Sequence, residues 1–236
     1  MDPRVQVENL WEWFRAKRVR GRRLERTRRW ALQDVSLTVN DGELVGIIGA
    51  NGSGKTTLLR SVAGVLPPAQ GRVIVRGRAV PFIDLNAGSH RELSGREHVM
   101  ITGVLLGLSR RDVRSRFSEI AALSGIGEDA LAMPMRSYSA GMMLRLGFAL
   151  AVHCEPNVLL VDEIVAAGDE AFQRSAVEKI AELRAAGCAV MLASHDLHLI
   201  GEHCDRVAVL QHGKLSFEGA PAQAIEHYLE LSKTSD

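Results

Sequence analysis

One stretch of eight residues limits this chain more than any other. Residues 49–56 read Gly-Ala-Asn-Gly-Ser-Gly-Lys-Thr, a full match to the pattern G-x-x-x-x-G-K-[ST]. A short apolar run, Leu44 to Ile48, precedes it, and helical spacing follows from Lys55 to Val65. The pattern therefore sits between a buried strand and a helix, the context it needs. Glycines let the backbone curl until successive N–H groups point at one anion, and the helix N-terminus adds its positive dipole end. Gly49, Asn51, Gly52, Ser53, Gly54, Lys55, Thr56 and Thr57 are the nucleotide-binding candidates. Lys55 supplies a point charge for the β- and γ-phosphates, and the Thr56 hydroxyl suits Mg²⁺. At average residue frequencies, a chance match somewhere in such a chain is on the order of 1%.

The remaining pattern predicts an α/β core. Val5-Gln-Val-Glu alternates and reads as a strand running into Leu10-Trp-Glu-Trp-Phe14. Ala31 to Val39 alternates again, and Asn40-Asp-Gly42 predicts a hairpin turn. Val73 to Val75, Val158 to Val161, Ala189 to Ala193 and Val207 to Leu210 are further strand runs. Residues 90–148 and 171–186 look mostly helical. The order predicts a mostly parallel sheet, an antiparallel edge near the start, and a helical insertion.

Composition removes other classes. The longest uncharged apolar run, His98 to Leu108, has 11 residues, against about 18 or more for a membrane span. The amino end carries no apolar signal-peptide core, so export is not expected. Three widely spaced cysteines, Cys154, Cys188 and Cys204, read as free thiols in a reducing compartment. Net charge is +1, yet residues 15–29 hold nine of the 29 basic residues and one acid, Glu25. That segment is +8 and the remainder −7. It has no clean period and reads as an exposed loop or short helix.

Val158-Leu-Leu-Val-Asp162-Glu163 is an apolar strand ending in two acids. Such an end faces the ligand crevice of an α/β sheet. Asp162 suits coordination of Mg²⁺, and Glu163 suits polarisation of an attacking water. His195, just after the strand Ala189 to Ala193, lies where a γ-phosphate would be reached. The plainer reading is a histidine that caps the next helix. A zinc site with His198, His203 and Cys204 fits no usual spacing.

Tyr138-Ser139-Ala140-Gly141-Met142 precedes a helix-like run. With the phosphate loop, the Asp162-Glu163 strand end and His195 in that order, the chain resembles an ATP-binding cassette (ABC) ATPase, a P-loop NTPase fold, over nearly its whole length. Met142 stands where glutamine is commoner. The resemblance implies ATP and Mg²⁺ as ligands, and a homodimer in which Ser139, Ala140, Gly141 and Met142 of one copy close over the nucleotide of the other. It also implies a core of residues 1–88 and 149–236 with a helical subdomain at 89–148.

The stretch Asn86-Ala-Gly-Ser-His-Arg-Glu-Leu-Ser-Gly-Arg-Glu97 and Ala166-Ala-Gly-Asp169 narrow the likeness to bacterial surface-polysaccharide exporters (O-antigen, galactan, capsule, teichoic acid). Such subunits sit peripherally at the cytoplasmic face of the plasma membrane. They work with two copies of a separate transmembrane permease subunit and move a lipid-linked polysaccharide. Asp169 is then the acid of the loop meeting the partner copy. Longer members carry a C-terminal carbohydrate-binding domain, which is not expected in the 41 residues after His195.

Two departures stand out. The family's usual glutamine between core and helical subdomain is missing from Phe82-Ile-Asp84-Leu-Asn86, which leaves Asp84 or Asn86 as the stand-in near Mg²⁺. The adenine-stacking aromatic is Phe14 or Trp30, since the basic segment separates them. An ATPase for drugs or nutrients is the near alternative. A nucleic-acid-handling relative would use the basic stretch on phosphates, but the gap between loop and signature is too short for a coiled coil and shows no heptads. No nucleic acid is expected.

Overall fold

Five-residue apolar runs make the centre of the molecule. The computed structural model describes residues 2–20, 23–83, 91–162 and 170–233. In it β3 (Leu44–Ile48), β6 (Val158–Asp162) and β7 (Ala189–Ala193) are buried at every position. That is the mark of parallel strands covered on both faces. With β5 (Ala79–Phe82), β8 (Arg206–Gln211) and β9 (Lys214–Gly219) they form a six-stranded sheet of order β5-β6-β7-β3-β8-β9. All run parallel except β9, which closes the edge antiparallel.

Alternate side chains of this sheet feed two cores. Leu44, Ile48, Leu159, Val161, Val190 and Leu192 face one, together with most of the helices. Val45, Ile47, Leu160 and Met191 face the other, where α1 (Lys55–Val62) contributes Leu58, Leu59 and Val62. A second, antiparallel sheet of order β2-β1-β4 shares that core through Val5, Val7, Leu10, Leu32, Val35 and Leu37. Its strands are β1 (Val5–Arg20), β2 (Arg23–Val39) and β4 (Gln70–Val75).

Between β5 and β6 come α2 (Gly95–Leu105), α3 (Arg110–Ser124), α4 (Glu128–Ala132) and α5 (Ala140–His153). Reciprocal capping boxes, Ser94 with Glu97 and Ser109 with Asp112, start the first two. The Phe148 ring of α5 meets Phe82 of β5 and Phe172 of α6 (Glu170–Ala185), each edge-on with centroids 5.6 Å apart. α7 (Leu197–His203) and α8 (Pro221–Lys233) complete the chain. Among the described residues, no helix is long and apolar enough to cross a membrane.

Two expectations are corrected. Residues 15–20 and 23–29 of the basic segment are neither loop nor helix, because they prolong β1 and β2 as a two-stranded ribbon paired from Trp13↔Trp30 to Arg20↔Arg23. Asn40-Asp41-Gly42 does turn the chain, but the strands it joins lie in different sheets and make no hairpin. The Glu43 carboxylate accepts from the Asn40 N–H at 2.7 Å, and Arg4 grips Asp41 through two bonds of 2.6 and 2.8 Å. These contacts aim β3 into the parallel sheet.

Candidate nucleotide site

At the C-terminal end of β3 the chain leaves the sheet at Gly49 and enters α1 at Lys55. The Ser53 N–H closes the loop onto the Ala50 carbonyl at 3.1 Å, and Leu58 N–H to Gly54 O at 2.9 Å opens the helix. No side chain caps this helix and no acid lies in its first turn, so its N-terminal amides and dipole are left for an anion. Lys55 is 6% exposed and folds back, its ammonium donating to Gly49 O at 2.7 Å and to Ala50 O at 3.4 Å. The Ser53 hydroxyl is buried with no hydrogen-bond partner among the described residues. A buried donor facing an anion-shaped loop asks for an acceptor.

Behind the loop stands the turn between β8 and β9. Gly213 N–H donates to Ser53 O at 2.9 Å, and Gln33 N–H donates to Gly213 O at 2.7 Å. A Cβ on Gly54 (φ +113°) would stand 2.7 Å from Ala31 O, and one on Gly213 (φ +80°) 2.6 Å from the same oxygen. Only glycine fits either place. The sequence reading missed this buttress. Its parts are distant in the chain, and no local pattern announces it.

The Thr56 hydroxyl donates to Asp162 Oδ2 at 2.6 Å, joining α1 to the last residue of β6. Asp162 is 7% exposed. A hydroxyl and a carboxylate beside the phosphate loop are hard oxygen donors, the set Mg²⁺ takes.

A cleft of about 400 Å³ opens beside the loop. Asn51, Gly52, Gly54, Lys55, Thr56 and Thr57 form one wall; Phe14, Arg29, Trp30 and Ala31 form the other. Both aromatic candidates thus reach the same cleft, Phe14 at 43% and Trp30 at 37% exposure. The Trp30 ring also packs edge-on against Trp11, with centroids 5.2 Å apart. Arg29 is a wall residue the sequence reading did not pick out.

His195 is exposed at the end of β7, on the same edge of the sheet as the loop and Asp162. It does not cap α7. Asp196 does, its carboxylate accepting from the His198 and Leu199 N–H groups at 3.0 and 3.1 Å. Among the described residues, no group of histidines, cysteines and acids is arranged to hold a metal ion.

Ser139 caps α5, its hydroxyl accepting from Met142 N–H at 3.1 Å. Ser139 and Ala140 are exposed, Gly141 and Met142 half-buried. A Cβ on Gly141 would meet only the Ser139 hydroxyl, at 3.9 Å. None of the four lines the cleft beside this chain's own phosphate loop. Glu163, Asp169, Asp84 and Asn86 lie outside the described residues.

A family model described as ABC transporter matches residues 32–166. The O-antigen export system ATP-binding protein RfbB of Myxococcus xanthus is 39% identical over 221 residues, which cover 94% of this chain and 50% of that protein. RfbB of Klebsiella pneumoniae is 39% identical over 84% of this chain and 80% of its own length. The teichoic acids export ATP-binding protein TagH of Levilactobacillus brevis is 39% identical over 86% of this chain and 56% of its own. The chain therefore spans about half the length of the Myxococcus and Levilactobacillus relatives. Among solved structures, an ATP-binding subunit of an ABC transporter superposes with TM-score 0.78 at 22% identity, covering 97% of this chain and 99% of that one. A dimeric ATP-binding cassette in a post-hydrolysis state with ADP and phosphate gives 0.77 at 21%, covering 92% and 98%. At such identities these two speak for the fold.

Proposed function

This chain belongs to the ABC transporter family, and from that we propose that it is the ATP-hydrolysing subunit of an exporter for a lipid-linked surface polysaccharide. The observation that carries hydrolysis is the 2.6 Å bond between Thr56 and Asp162, which sets a hydroxyl and a carboxylate beside an anion-ready loop. The export class rests on what the relatives are named for.

In this reading the Lys55 ammonium leaves the Gly49 and Ala50 carbonyls for the β- and γ-phosphates. Loop amides from Gly52 to Gly54 and the Ser53 hydroxyl, which has no partner among the described residues, complete the cradle. Catalysis is mostly positioning and charge neutralisation. Thr56 and Asp162 would hold Mg²⁺, with Asp84 or Asn86 nearby, and the bound ion supplies neutralisation of phosphoryl charge. Glu163 takes the proton of the attacking water, and His195 contacts the γ-phosphate. Phe14 or Trp30 stacks on adenine.

Ser139 to Met142 do not line this chain's cleft; in this reading they serve the site of a second copy, with Asp169 at the shared boundary. The working unit is a homodimer with two copies of a transmembrane permease subunit, peripheral at the cytoplasmic face. Residues 1–88 and 149–236 act as the nucleotide-binding body and 89–148 as the arm that carries Ser139.

Mixing subunits tests the shared site. Lys55→Ala spoils a chain's own loop and Gly141→Asp spoils what it lends. Each variant alone should be inactive, and the mixture should recover hydrolysis through one intact composite site per heterodimer. A mixture no more active than its components overturns the arrangement.

A further inference from the structure

Two neighbouring arginines on β2 are placed differently. Arg28 pairs across the strands with Arg15, and Arg29 pairs with Phe14, so the two arginines project on opposite faces. Arg28 lies over the Trp13 ring, 4.4 Å from its centroid, and a guanidinium stacked on a ring is already engaged. Arg29 is exposed and lines the cleft beside the phosphate loop. Among the described residues its side chain makes no hydrogen bond and no ion pair. Among the described residues, no acid lines the cleft to neutralise it.

The cleft's other cation, Lys55, is 6% exposed and turned into the loop, donating to Gly49 O at 2.7 Å. One wall therefore carries a buried ammonium and the other an exposed guanidinium. A guanidinium free of partners in a cleft without acids is ready for an anion, and its planar fork matches a phosphate. Its neighbours say which phosphate. Lys55 and the loop amides stand on the far wall, where the terminal phosphates go. Phe14, the cross-strand partner of Arg29, and Trp30, the next residue, are the rings for the base. A nucleotide lying from rings to loop sets its α-phosphate between the two, within the span that Arg29 overlooks.

We propose that Arg29 is a nucleotide-binding residue that pairs with the α-phosphate from the wall opposite the loop. The α-phosphate is common to ATP and to the ADP left after hydrolysis, and its charge does not change as the γ-phosphoryl group leaves. The contact therefore holds substrate, transition state and product alike, and sets affinity without setting rate. This rests on reading the cleft as the nucleotide site.

Nucleotide titrations of the full chain test it. Arg29→Ala should weaken ATP, ADP and GTP by one common factor of roughly 5–30-fold, the worth of a charge-assisted contact that stays partly in water. KM for ATP should rise by that same factor at wild-type kcat. Arg29→Lys keeps the charge and should recover most of the loss. Added salt should weaken ATP binding less in Arg29→Ala than in wild type. Arg28→Ala removes an equal charge one residue away and should bind ATP as wild type does. A loss for ATP with ADP spared would assign Arg29 to the γ-phosphate, and a loss for ATP with GTP spared would assign it to the base. Equal losses in Arg28→Ala and Arg29→Ala would reduce the effect to general charge. Each of these overturns the proposal, as does unchanged affinity in Arg29→Ala. Lys55→Ala is titrated beside them. Full ATP affinity in that variant means the cleft is not the nucleotide site; loss there with none in Arg29→Ala removes the role of Arg29 alone.

Discussion

The Thr56 hydroxyl and the Asp162 carboxylate meet at 2.6 Å across 106 residues of sequence. The bond joins the first turn of α1 to the tip of β6, and through it the phosphate cradle and the acidic strand end become one site. Asp162→Asn keeps an acceptor for Thr56 but removes the negative charge. It should weaken Mg²⁺ about 10- to 100-fold while leaving metal-free nucleotide binding close to wild type. Titrating hydrolysis against Mg²⁺ in both proteins checks this. An unchanged titration would remove Asp162 from the metal.

A Cβ on either Gly54 or Gly213 would crowd the same carbonyl, that of Ala31. Gly54→Ala and Gly213→Ala should each cost about 1–3 kcal/mol of stability, because a left-handed backbone and a forbidden approach coincide. Each should also loosen ATP. The double variant should cost less than the two effects added, since both act through the same contact. Urea midpoints for the three proteins decide, and strict additivity counts against a shared clearance.

Phe14 and Trp30 are separated by their other duties. Trp30 packs on Trp11, so Trp30→Ala should lower both stability and ATP affinity. Phe14 is more exposed, and Phe14→Ala should weaken ATP about 5- to 100-fold, the usual worth of a base on a ring, with stability unchanged. Fluorescent-nucleotide titration beside thermal melts checks the pair. Full ATP affinity in Phe14→Ala would assign the stacking to Trp30.

Burial pushes the thiols of Cys154 and Cys188 up to about 11 and that of Cys204 up to about 12, from an ordinary 9.0. An unfolded chain would ionise them near 9.0, the folded one only at the higher values. Their contribution to stability is therefore complete below about pH 9 and lost as pH rises through 11 and 12. Iodoacetamide at pH 8 should leave native protein unlabelled and label all three thiols in urea. Rapid labelling of the native chain would contradict their burial.

The phosphate loop was legible because its chemistry dictates residue types at fixed spacing. The central strands were legible because burial on both faces demands unbroken apolar runs such as Leu44 to Ile48. The ribbon was not. Alternation announces a strand only when one face is buried, and Phe14, Arg15 and Arg28 to Trp30 are all exposed. The Asn40-Asp41-Gly42 turn was read correctly as a reversal and wrongly as a hairpin. A turn fixes local direction, whereas the partner of β3 is chosen by the parallel neighbours β7 and β8. Arg29 in the cleft and the Gly213 buttress depend on contacts between distant segments, and a single sequence carries no local signature of those.

The Phe82, Phe148 and Phe172 rings give the fold a fulcrum. They join the strand β5, the helix α5 and the helix α6. Phe148 lies near the far end of α5 from Ser139, so at about 1.5 Å per residue the arm between them is roughly 13 Å. Tilting that arm by about 10° about the rings sweeps Ser139 through about 2 Å. A displacement of that size separates a hydrogen bond made from one lost. The lever magnifies small movements of buried aromatic rings at the exposed end of α5, where Ser139 caps the helix.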